Sequence, residues 1–204
     1  ARVGGEGIGV DVDAAGNLYV ADIGAKAVFV YGPDHQFLRR IGGDKWFSRL
    51  TSVTVDPAGS KLYAVDIGGV SSERHVVRVF DAKSGEHLMD IGKRGSGPGE
   101  FNLPRDIAIG VDGRLYVVDG GNFRVVVFDR DGKYLSSFGS VGKQYGQFAR
   151  PKEIAIDRDG NLQTADDRIE IASIDQRQFA VGELAESEQP RWSGFYDAGV
   201  YQLE

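Results

Sequence analysis

The sequence predicts an all-β fold, with four-stranded antiparallel blades set around a common axis as in a β-propeller. Two observations predict it. One pattern recurs four times, with Asp22, Asp66, Asp119 and Asp166 closing equivalent segments at steps of 44, 53 and 47 residues. Each copy also reads as short β-branched and aromatic runs divided by glycine-bearing turns, without a sustained 3.6-residue apolar period. Glycine supplies 29 of the 204 residues, about twice the usual ~7%, as many tight turns require.

The first unit spans about residues 7–42, where Gly7–Asp13 leads into Gly16–Asp22. The second spans 51–92, where Thr51–Asp56 leads into Gly59–Asp66, and it carries an insertion within Gly68–Arg74. The third, 105–139, is the most complete. Its runs Asp106–Gly110, Arg114–Asp119, Arg124–Asp129 and Tyr134–Gly139 are joined in part by the Asp112-Gly113 and Asp131-Gly132 turns. Such Asp-Gly pairs accept the positive φ that hairpins demand. The fourth, 152–182, has Gln163 where a tyrosine is expected. The remainder, 183–204, is too short for another blade and reads as a degenerate fifth unit or a tail. A lone blade cannot cover its two apolar faces, so the units must stack on one another. Phe47, Phe101 and Phe148 each stand six residues before Val53, Ile107 and Ile154, and are expected to wedge between adjacent blades; Gly4 holds that place in the first unit.

The third unit resembles an NHL repeat of bacterial type. The likeness rests on Phe101, Pro104, Ile107-Ala108-Ile109, Gly113, Leu115-Tyr116-Val117, Asp119, Asn122, Arg124-Val125, Phe128-Asp129 and Phe138-Gly139. It extends more weakly over about residues 7–182. What it implies is a single propeller domain over residues 1–204; such propellers usually close with six blades, so the four units here are expected to form an incomplete ring. A propeller scaffold hosts many unrelated functions.

Composition narrows the function. The formal charge of −6 argues against a nucleic-acid groove, which needs a basic face. The absence of cysteine removes disulfides, thiolate zinc sites and cysteine nucleophiles. No apolar run reaches the ~18 residues of a spanning helix, so no transmembrane segment is expected. Residues 1–5 carry no apolar leader, which fits a cytosolic chain or one whose leader has been removed. Similar bacterial proteins are often exported, so the resemblance points to the periplasm or the cell exterior.

No catalytic, cofactor or metal site is assigned. His35, His75 and His87 lie on one hairpin and on outer strands, which does not converge three ligands on a zinc ion. The four recurrent aspartates read as turn caps rather than a cation ring, each accepting from the turn that follows it. Asn122 and Arg124 read as structural. Asp11, Asp106 and Glu153 lie near the ends of innermost strands, where solvated carboxylates are the plain expectation. Were they instead paired around an axial divalent metal, the chain would be a propeller enzyme of lyase or lactonase class. The favoured expectation is a non-catalytic interaction propeller, a scaffold subunit docking onto other protein subunits. Its candidate contact residues are Trp46, Arg74, Lys93, Arg94, Tyr145 and Trp192, on the connectors and the tail.

Overall fold

The structure, a computed structural model, describes residues 9–68, 72–142, 144, 146–157, 159–166, 169–175, 192–196 and 199–200, with side chains described only up to residue 164. The first blade is β1 (Val10–Val12), β2 (Leu18–Asp22), β3 (Ala27–Tyr31) and β4 (Phe37–Gly42). The second is β5 (Leu50–Val55), β6 (Lys61–Ile67), β7 (His75–Asp81) and β8 (His87–Ile91). The third is β9 (Pro104–Ile109), β10 (Leu115–Asp119), β11 (Arg124–Phe128) and β12 (Tyr134–Phe138). In each, the strands pair antiparallel in chain order. A short parallel pair, β13 (Ser140–Val141) with β14 (Gln147–Phe148), ties the next connector. The last sheet runs β15 (Pro151–Ile156), β16 (Asn161–Asp166), β17 (Ile169–Asp175), β18 (Trp192–Tyr196) and β19 (Gly199–Val200). Its β18 comes from within 183–204 and pairs with β17, Ser173 standing opposite Ser193. The unpaired amides and carbonyls at the β17 edge offer a ladder that any nearby extended segment can join.

The core lies between blades. One cluster joins Tyr19, Val28 and Ile41 to Leu62 and Phe80; a second joins Tyr63 and Val77 to Leu115 and Phe128; a third joins Tyr116 and Val125 to Leu162. The alternation explains this: Leu62 and Ala64 point back at the preceding blade, whereas Tyr63 and Val65 point at the next. Phe47, Phe101 and Phe148 are buried at these seams, as expected of wedges. Each packs against a glycine that ends the preceding sheet. At Gly42, Gly92 and Gly139 a Cβ would collide with the ring, and φ is +86°, +79° and +99°. Only glycine meets both demands.

The ring is open. Val53 and Val55 of β5 are 4% exposed, whereas Val10 and Val12, at the same repeat positions in β1, are 51% and 52% exposed. Among the described residues, no blade lies against the leading face of the first blade.

Candidate functional site

The innermost strands β1, β5, β9 and β15 line a concave hub of about 1250 Å³. Their first residues sit at the connector end. β5, β9 and β15 each lose register just after Leu50, Pro104 and Pro151, so that Thr51, Arg105 and Lys152 fall in bulges. A bulge bends the strand and re-aims its side chain. Here Arg105 and Lys152 line the hub together with Arg49, and all three are exposed.

Two of the three carboxylates expected to be solvated are engaged instead. Asp11 Oδ2 accepts from Thr54 Oγ1 at 2.7 Å and from the Val55 amide at 2.8 Å, joining β1 to β5. Asp106 accepts from the Ser52 hydroxyl on β5, from its neighbour Ile107 N–H at 2.9 Å, and through Oδ2 from the Ile154 N–H of β15 at 2.8 Å. One side chain thus clasps three inner strands. Burial pushes its carboxyl above the ordinary range, and nearby Glu153 adds to the rise; the three hydrogen bonds oppose it. Glu153 itself is exposed. Among the described residues, no three His, Asp or Glu side chains are grouped to hold a metal ion.

The recurrent aspartates do more than cap the turn that follows. Asp22 does so, accepting from Ala25 N–H at 2.8 Å. Asp66, fully buried, reaches back to the preceding connector and accepts from the Ser48 and Arg49 amides at 3.0 and 2.8 Å. It also faces Arg78, which bonds Asp90 at 2.7 Å. Asp119 accepts from the Asn102 amide at 2.6 Å, from Asn122 Nδ2 at 2.7 Å and from Arg124 Nε at 3.0 Å. An aspartate here pins an incoming connector to the sheet; the side chain of Asp166 lies outside the described residues.

The longest described connector is built on this anchor. Arg124 Nη2 donates to the carbonyls of Gly97 and Glu100, both at 2.9 Å, and Asn122 Nδ2 to that of Gly95 at 2.9 Å. Glu100 accepts from the Gly97 amide at 2.9 Å and pairs with Lys93 at 3.3 Å. Buried His75 receives the Leu103 amide on Nδ1 at 3.1 Å, holding Leu103 at φ +54°. This histidine therefore positions a loop.

Of the expected contact residues, Arg74, Lys93 and Arg94 lie together on the connector face. Arg94 Nη1 donates to the Ser72 carbonyl at 3.3 Å. Trp46 stands apart and half-buried at the seam of the first two blades, stacked on His87 at 4.3 Å with Lys45 Nζ 4.8 Å from its ring centre. Tyr145 lies outside the described residues. Trp192 opens β18 opposite Ile174, and its side chain also lies outside them. Sequence reasoning missed Arg49 and Lys152 at the hub. The readable signal was a basic residue directly after the connector proline in two units, Arg105 and Lys152.

No helix among the described residues is long and apolar enough to cross a membrane. The family model for the NHL repeat matches residues 101–128. Over 88 residues the chain is 34% identical to NHL repeat-containing protein 3 of Mus musculus, a match covering 42% of this chain and 23% of that protein. The Homo sapiens protein of the same name is 45% identical over 40 residues, covering 20% of this chain and 12% of its own length. The chain thus spans less than a quarter of the curated relatives it matches. Among solved structures, a streptogramin B lyase superposes with a TM-score of 0.63 at 11% identity, covering 92% of this chain and 54% of that one. A hydrazine synthase chain of Kuenenia stuttgartiensis gives 0.60 at 18% identity, covering 91% and 48%. At such identities the likeness is one of fold. With its wedge phenylalanines, pinned connectors and four repeated sheets, the chain has β-propeller architecture and carries an NHL repeat at residues 101–128.

Proposed function

We propose that this chain is a protein-interaction propeller that docks another protein subunit through its connector face. One observation carries the reading: the 94–101 connector is held from beneath by Asp119, Asn122 and Arg124, while Arg94 on it bonds the neighbouring 72–74 stretch that carries Arg74. A loop already fixed in shape loses little conformational entropy on binding. The hub carboxylates favour this reading over an axial-metal enzyme, because Asp11 and Asp106 spend their oxygens joining blades. Work outside the cytoplasm belongs to the same proposal, on resemblance alone.

The test is affinity purification from the native source with the intact chain and with an Arg74→Glu/Arg94→Glu variant. A partner retained by the first and lost by the second, with thermal stability unchanged, supports docking. Recovery of the intact chain as a clean monomer sinks it.

A further inference from the structure

Resting on that docking reading, we propose that the partner presents an acidic polypeptide segment, whose carboxylates enter the connector end of the hub between Arg49, Arg105 and Lys152. The chain carries a net charge of −6, yet these three cations share one rim. Two of them are turned there by bulges at equivalent points of adjacent inner strands. Arg49 and Arg105 form no ion pair among the described residues and are exposed. The rim opens on a hub of about 1250 Å³, with Ile23 and Val53 on its walls. That volume exceeds the roughly 300–1,000 Å³ of ordinary small-molecule pockets and suits a stretch of chain.

The depth of entry is limited. Asp106 and Glu153 line the same hub on the same inner strands, one residue further along than Arg105 and Lys152. An anion is attracted at the rim and repelled beyond it, so acidic groups stop at the guanidinium forks. Arginine takes a carboxylate through two parallel hydrogen bonds, which fixes orientation as well as charge. Three cations match two or three carboxylates. A nucleic-acid strand fits less well: established binders neutralise roughly 6–10 phosphates, and the hairpin turns at the other end carry Asp56, Asp112, Asp131 and Asp157, interspersed with Lys61, Arg114 and Arg130.

The experiment is fluorescence anisotropy on the full chain with a labelled twelve-residue Asp/Glu-rich peptide, its Asn/Gln counterpart and an oligouridylate. The acidic peptide is expected to bind, to weaken as salt rises, and to lose at least tenfold in affinity with Arg49→Glu/Arg105→Glu. The neutral peptide is expected not to bind, and Lys61→Glu at the hairpin end to change nothing. Circular dichroism and melting check that the variants fold. No binding of the acidic peptide, equal binding by the double variant, or tighter binding of the oligouridylate each overturns the proposal. Should Arg74→Glu/Arg94→Glu abolish peptide binding while Arg49→Glu/Arg105→Glu leaves it intact, the hub rim is wrong and connector-face docking survives. Should a native partner bind undisturbed by either pair, the docking reading itself fails.

Discussion

Asp106 concentrates the physics of the hub in one side chain. Its oxygens accept from Ser52, Ile107 and Ile154, so Asp106→Ala strands a hydroxyl and two amides in a partly buried place. The expected loss is about 1–3 kcal/mol, read by urea unfolding. Because burial raises its folded-state pKa above the unfolded value, the folded state binds the extra proton. Its contribution is therefore greatest at low pH and falls as pH rises from the ordinary carboxylate range through the raised value. Asp157 behaves oppositely: its bonds to Asn161 hold its carboxyl below the ordinary range, and its contribution is lost as pH falls through that lowered value. Carboxyl-carbon NMR should show Asp106 titrating above ordinary aspartates and Asp157 below them; the reverse order would refute the burial that raises Asp106. At the seams, Phe101→Ala should cost about 3–5 kcal/mol, since the ring is fully buried between two blades. Gly92→Ala should also destabilise, because the new methyl enters the same ring at a positive φ. A neutral Gly92→Ala in thermal melts would count against the wedge.

At the scale of the element, the connector between the second and third blades is a loop in chain order but a fixed body in space. Its carbonyls are held by Arg124 and Asn122, which in turn are held by Asp119. Arg124→Ala removes three hydrogen bonds from this arrangement and leaves buried Asp119 without its cation. The expected result is faster amide exchange across residues 94–102, with β10 and β11 still protected. Exchange confined to wild-type rates would show that the loop is held by something else. The blade strands follow from alternation; the loop's shape follows from three polar side chains meeting beneath it. That is why Asn122 and Arg124 could be read as structural, yet their partners, the carbonyls of residues 95, 97 and 100, could not be named from the sequence.

At the scale of the molecule, the inter-blade seam repeats, but among the described residues the first blade's leading face stays open. Val12 and Val55 hold the same place in the repeat, one half-exposed and one buried. Val12→Lys is therefore expected to change stability by no more than about 0.5 kcal/mol, whereas Val55→Lys puts an unpaired ammonium into a seam and should cost several times as much. Similar losses from both, measured by urea unfolding, would show that the face is covered in solution. The sequence by itself determined the repeat, the strand runs, the hairpin turns and the wedge positions. These depend on alternation, on glycine's freedom and on residue spacing, all of which are local. It also placed a basic residue after each connector proline without revealing where it pointed. Only the tertiary structure decided that bulges turn Arg105 and Lys152 toward the hub, that Arg49 joins them from the connector before β5, and that Asp106 clasps three strands. Each of those contacts joins residues from different units, and such meetings are set by how blades stack, a relation that no single stretch of chain contains.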